Sequence, residues 1–184
     1  MDKNNATKIL EEALSRSLGL PHYIEIMAGN PDKSEFQRMF NGYYKVRRNE
    51  NWQKEYYAIF TEAKKNPENY TFERILRKLY EKTGMIEASF SSKMLATIDP
   101  SKPIWDQYVL KNLGLQLKGL GEERLEKAVE LYSEIESWYN SYLNSSEDKE
   151  NIRVFDLMLP DYALISNIKK IDCLLWLIGC KLSR

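Results

Sequence analysis

A chain of 184 residues carrying 27 basic and 27 acidic side chains is long enough for one hydrophobic core and has no net charge. That balance excludes a uniformly basic nucleic-acid binder, and the longest apolar run, Cys173–Cys180, is too short to span a bilayer. The charge is uneven, however: residues 38–118 carry 15 basic and 9 acidic side chains, and residues 119–161 carry 4 and 11, so one positive face is open to the chain.

Thr7–Leu18 predicts a first helix, with Ile9, Leu10, Ala13, Leu14 and Leu18 on one side and Gly19 and Pro21 after it. His22–Ala28 is apolar and ambiguous, and a short strand or extended segment fits it. Gly29-Asn30-Pro31 marks a turn. Asp32 or Ser34 then caps a second helix that turns Phe36, Met39, Phe40, Tyr43 and Tyr44 inward. Trp52, Tyr56, Ile59, Phe60 and Ala63 form a third, stopped at Asn66-Pro67. A fourth, capped by Thr71, aligns Phe72, Ile75, Leu76, Leu79 and Tyr80 and ends at Thr83-Gly84.

The centre of the chain is Phe90–Leu115. Phe90, Met94, Leu95 and Ile98 have helical spacing, and Asp99-Pro100 stops them. Lys93 falls near the start of this helix, on the side away from Phe90, Met94 and Ile98. Pro103 suits the first turn of a further helix, capped by Ser101 or Lys102. There Ile104, Trp105, Tyr108, Val109 and Leu113 share a face, Asp106 lies in the first turn and Gly114 ends it. Leu115–Leu120 is a connector.

The longest helix starts near Gly121 and runs through Leu125, Ala128, Tyr132, Ile135 and Tyr139 to Leu143. Glu122 and Glu123 in its first turn suit the helix dipole. Asn144–Asn151 reads as a polar, mobile link, and Ile152–Leu159 as a short helix or turn ended by Pro160. Asp161 or Ser166 opens a last helix with Ile168, Ile171, Leu175 and Ile178 on one face. Leu174, Trp176 and Leu177 widen that face, so the helix is expected to be central. The fold expectation is a single all-α domain over residues 1–184 with seven to nine helices.

The one histidine, His22, cannot build a histidine metal site, and Cys173 and Cys180 lie about 10 Å apart along one helix, too far for a disulfide. No phosphate-cradling glycine loop occurs, so no cofactor is expected. Buried thiols and the absence of an apolar leader pattern at the N-terminus imply a cytoplasmic setting without a membrane partner.

Aromatic and basic side chains near one another, such as Tyr43, Tyr44, Trp52 and Tyr56 beside Arg47 and Arg48, suit stacking on nucleic acid; at helical spacing they also suit a core. Leu117-Lys118-Gly119-Leu120-Gly121, ahead of an amphipathic helix, resembles the hairpin of helix-hairpin-helix DNA-binding modules. The stretch around Lys93 and Asp106 resembles the catalytic segment of the helix-hairpin-helix DNA glycosylase superfamily. In that family a lysine is followed by a proline-containing turn, an aspartate and an apolar helix.

The resemblance implies a helix-hairpin-helix fold, a Lys93 amine that forms a Schiff base with a sugar, and an Asp106 that assists it. It implies DNA as partner, with Arg47, Arg48, Arg74, Arg77, Lys78 and Lys118 as candidate contacts. Arg74, Arg77 and Lys78 are also candidate neighbours that would lower the lysine's proton affinity. The Lys–Asp spacing is shorter than the family's, and the glycines follow the aspartate. The same stretch resembles uncharacterised bacterial all-helical proteins with SK-L-L, then P-x-x-P-I-x-D, a resemblance that assigns no activity. A non-enzymatic helical module acting through protein contacts is the competing expectation.

Overall fold

Apolar spacing of three and four residues dominates the chain, and each such stretch from Leu20 onward closes into a helix. The structure, a computed structural model, describes the backbone of residues 19–181 and the side chains of residues 19–177. These residues form nine α-helices and no strand: α1 (Leu20–Ala28), α2 (Ser34–Tyr44), α3 (Glu50–Lys65), α4 (Phe72–Thr83), α5 (Ala88–Ile98), α6 (Gln107–Leu113), α7 (Gly121–Leu143), α8 (Ser146–Met158) and α9 (Asn167–Lys181). The helix expected over residues 7–18 lies outside the described residues. No helix among the described residues is long and apolar enough to cross a membrane.

Local chemistry sets the helix ends. Asn49, Thr71, Ser145 and Ser166 each accept a backbone N–H of the first turn that follows, satisfying donors with no intrahelical partner. Gly84 and Gly114 close α4 and α6 in the left-handed region, at φ 69° and 68°, where a Cβ is penalised.

Several expectations are corrected. Residues 22–28 are helical, not extended: Pro21 takes a first-turn position, and Leu20, Tyr23 and Ile26 turn to the core while Ile24 faces out. Neither Asp32 nor Ser34 caps α2, which Lys33 precedes without a side-chain cap. The polar stretch 144–151 is not a mobile link: Asn144 ends α7, Ser145 caps α8, and residues 146–151 are its first half, with Asp148 and Asn151 buried. The helix expected from Pro103 starts only at Gln107, since residues 103–105 are buried in a non-helical turn. Trp176 is 47% exposed; α9 is buried on nearly all sides, and this ring emerges where Tyr108 alone packs edge-on against it. Ile171, Leu174 and Leu175 are buried as expected, and the Ile178 side chain lies outside the described residues.

One cluster of buried side chains runs through all nine helices. Phe36, Phe40, Tyr56, Tyr57 and Phe60 interlock edge to face where α2 meets α3, a favoured aromatic geometry. The start of α2 approaches the end of α1 so closely that a Cβ on Gly29 would stand 2.5 Å from the Phe36 ring and 3.1 Å from the Glu25 carbonyl oxygen. Phe36 is packed on every side and cannot swing away. Gly29→Ala is expected to destabilise the fold by about 1–3 kcal/mol, read as a lower urea midpoint; an unchanged midpoint would show that α1 tolerates displacement.

Candidate active site at Lys93 and Asp106

The non-helical turn Pro103–Trp105 is gripped by three helices. The Tyr132 hydroxyl of α7 donates to the Pro103 carbonyl at 2.9 Å. The Trp105 N–H donates to Ser92 Oγ of α5 at 2.8 Å. The Ile104 N–H faces the Asp172 carboxylate of α9 and stabilises its charged form. Of these groups a helix starting at Pro103 would need only the Pro103 carbonyl, which Tyr132 takes; the three contacts together fix residues 103–105 in non-helical backbone, and α6 begins after them. Asp106 therefore becomes the N-cap of α6 and accepts the Tyr108 N–H at 2.8 Å.

This turn brings Asp106 to Lys93. Ser92 and Trp105, joined by a buried hydrogen bond, are the chain neighbours of Lys93 and Asp106. Lys93 lies well inside α5, not at a helix start, and its stem folds back over its own helix. Its Nζ donates to Ser89 Oγ at 3.0 Å and sits 5.1 Å from the Phe90 ring centroid and 5.5 Å from that of Tyr44. The side chain is thus not on the face away from Phe90. Burial pushes the Lys93 amine below the usual lysine range; Asp106 and Glu87 pull it back up, and Lys169 lowers it again. An amine so placed reaches its free, nucleophilic form more readily than a surface lysine.

Glu87 is itself buried and is held by Arg48 through two hydrogen bonds, at 2.7 and 3.2 Å. The Arg48 guanidinium also lies over the Phe90 ring at 5.5 Å. A depression of about 470 Å3 opens beside this group. Ala88 and Ser89 of α5, Trp105, and Gln107 and Lys111 of α6 line it; Lys93 and Asp106 themselves do not.

Two ionisable groups that sequence reasoning missed lie behind the pair. Lys169 is buried with its Nζ 4.7 Å from the Tyr23 ring centroid and 5.9 Å from that of Tyr43. Burial alone would push Lys169 down, but Cys173, Tyr43, Tyr44 and Asp172 outweigh it and hold the ammonium well above the usual lysine range. Burial raises the Asp172 carboxyl to about 7, against the pull of Lys169, the Tyr139 hydroxyl that donates to it and the Ile104 N–H. Their signal in the sequence is three charges, in Lys169-Lys170-Ile171-Asp172, interrupting an otherwise apolar helix.

The expected nucleic-acid contacts divide. Arg47, Arg74 and Lys118 are exposed, and the Arg74 guanidinium stands 5.1 Å over the Tyr70 ring. Arg48 is committed to Glu87. Arg77 pairs with Glu73, Glu122 and Glu126, and Lys78 with Glu62 and the Tyr70 hydroxyl. Glu122 lies in the first turn of α7, next to Gly119 and Gly121, and its ion pair joins the basic and acidic parts of the chain there. Arg74, Arg77 and Lys78 do not act on the Lys93 amine; the positive neighbour that does is Lys169.

No protein-family model, no curated protein and no solved structure matches this chain.

Proposed function

We propose that the protein is a DNA-glycosylase-like, imine-forming enzyme that acts on an aldehydic sugar in nucleic acid. Lys93 is the nucleophile and Asp106 its acid–base partner. The observation that carries this reading is the Lys93 amine, desolvated against Tyr44 and Phe90, with the Asp106 carboxylate acting on it. The free amine attacks the aldehyde carbon of the ring-opened deoxyribose, and Asp106 carries one amine proton to the oxygen, which becomes a hydroxyl. A second proton, taken from solvent and delivered by Asp106, lets that hydroxyl leave as water while nitrogen keeps its remaining proton. The product is an imine between Lys93 and the sugar, and the carboxylate stabilises its protonated form. Arg47, Arg74 and Lys118 supply exposed positive charge for the phosphates.

Borohydride reduction in the presence of abasic-site DNA tests the reading. A covalent protein–DNA adduct is expected with the native protein and none with Lys93→Ala. Affinity for the same DNA is expected to fall steeply with salt, through counterion release. Absence of an adduct, together with salt-insensitive or absent binding, sinks the proposal. The competing reading, a non-enzymatic module acting through protein contacts, draws on Leu157, Leu164 and Trp176, three large apolar side chains left exposed on α8, α9 and their connection.

A further inference from the structure

Fully buried lysines are costly and are kept uncharged, paired or put to use. Lys169 is buried and is stacked between aromatic faces, not spread along a surface ion pair. Its neighbour Lys170 is different: its Nζ is neutralised by Asp156 at 2.6 Å and bound to the Ala163 carbonyl. Lys169 has Asp172 nearby on its own helix, but that carboxylate is engaged by the Tyr139 hydroxyl and the Ile104 N–H.

The two amines lie against one aromatic pair. Tyr43 and Tyr44 are adjacent, with ring centroids 4.8 Å apart and planes nearly perpendicular. Lys93 rests on Tyr44 and Lys169 on Tyr43. The two amines are thus neighbours of one ring pair, and the positive charge of Lys169 disfavours the ammonium form of Lys93. We propose that Lys169 is a positioning residue, the fixed positive charge that keeps the Lys93 amine available in its free form. The cage of Tyr23 and Tyr43 holds the Lys169 ammonium in place, and Cys173, Tyr43, Tyr44 and Asp172 together outweigh its burial.

The groups facing Lys93 come from every element packed on it: Tyr44 from α2, Glu87 before α5, Asp106 before α6 and Lys169 from α9. The two carboxylates favour the ammonium form of Lys93, and only Lys169 among these charges opposes it. Burial is the main cause of the lowered Lys93 midpoint, and Lys169 adds to it in the same direction, with a smaller effect than either carboxylate. The inference deepens the imine-forming reading and rests on it for its meaning, but it can be measured without any substrate.

The test is an NMR titration of the full chain after reductive methylation of its lysines with carbon-13 formaldehyde, with Lys93 assigned from the resonance lost in Lys93→Arg. Lys169→Met, an apolar replacement that suits the aromatic cage, is expected to raise the Lys93 midpoint measurably, leaving less free amine at a given pH. Lys169→Gln serves as a second neutral variant should the first fail to fold. Lys169→Arg, which keeps the charge, is expected to hold the midpoint near the native value. A native midpoint in the neutral variants overturns the proposal. So does an equal rise in Lys169→Arg, because packing and not charge would then be the cause. Failure of borohydride trapping would remove the imine-forming function and leave this electrostatic coupling to be judged on its own titration.

Discussion

Replacing Trp105 with alanine is expected to destabilise the protein by about 3–5 kcal/mol. The indole is 5% exposed and lies parallel to Phe72, with centroids 6.3 Å apart. Phe72 in turn stacks on Tyr132 at 3.8 Å. Trp105 thus ends a three-ring stack that joins the start of α4 to the middle of α7. Alanine would leave a cavity at the point where the Pro103–Trp105 turn is pressed onto both helices, and the surrounding rings are too constrained to fill it. The backbone hydrogen bond from residue 105 to Ser92 survives the substitution, so the loss is one of packing. The measurement is urea unfolding, where the midpoint should fall with little change in slope. A midpoint within error of the native protein would show that the stack does not pin the turn. Trp105→Phe, which keeps part of the stack, is expected to lose less.

The same turn shows where the sequence stopped being legible. Repeats of three and four residues placed the cores of α2, α3, α4, α5 and α7 correctly, because each buries one continuous stripe. Gly84, Gly114 and Thr71 were readable as end signals because their chemistry is local. The start of α6 was not, because the groups that hold residues 103–105 out of a helix belong to Tyr132, Ser92 and Asp172, all distant in the chain. Trp176 was misjudged for a related reason: periodicity says that a face is apolar, but not whether a neighbour reaches all of it.

The site was legible in part. Lys93 and Asp106 stand out in the sequence by their order around a proline turn; in the structure Lys93 donates to Ser89, Asp106 accepts the Tyr108 N–H, and the two share a charge influence without a hydrogen bond or ion pair between them. What desolvates that amine was hidden, since Tyr44 comes from α2 and the Phe90 contact depends on the lysine stem folding back along its own helix. The basic residues were counted correctly but could not be sorted. Arg77 and Lys78 look like free cations in sequence, yet in three dimensions they face glutamates of α7 and α3. Net charge over a segment says nothing of which charges a folded neighbour has already matched.

Asp172→Asn is expected to remove a pH dependence of stability amounting to about 4 kcal/mol in all. The Asp172 carboxyl is raised to about 7 in the folded chain, burial being the main cause; in an unfolded chain it lies near the ordinary value of about 3.9. Between those values the folded protein holds a proton that the unfolded chain has released. Protons therefore favour folding in this window, and stability falls as pH rises from about 4 to about 7. That is the reverse of a carboxylate stabilised by a salt bridge. Lys169, the Tyr139 hydroxyl and the Ile104 N–H favour the charged form of Asp172, and Asp106 opposes it. None of them outweighs burial. Asparagine keeps an oxygen for the Tyr139 hydroxyl and the Ile104 N–H but has no proton to lose. Asp148, raised by burial to about 6, adds a slope of the same sign, but it is present in both proteins and cancels in their difference. Urea unfolding at intervals from pH 5 to pH 8 should show the native protein losing about 3 kcal/mol more than the variant across that range. Parallel stability curves for the two proteins would mean that Asp172 is already ionised at pH 5, with Lys169 compensating its burial in full.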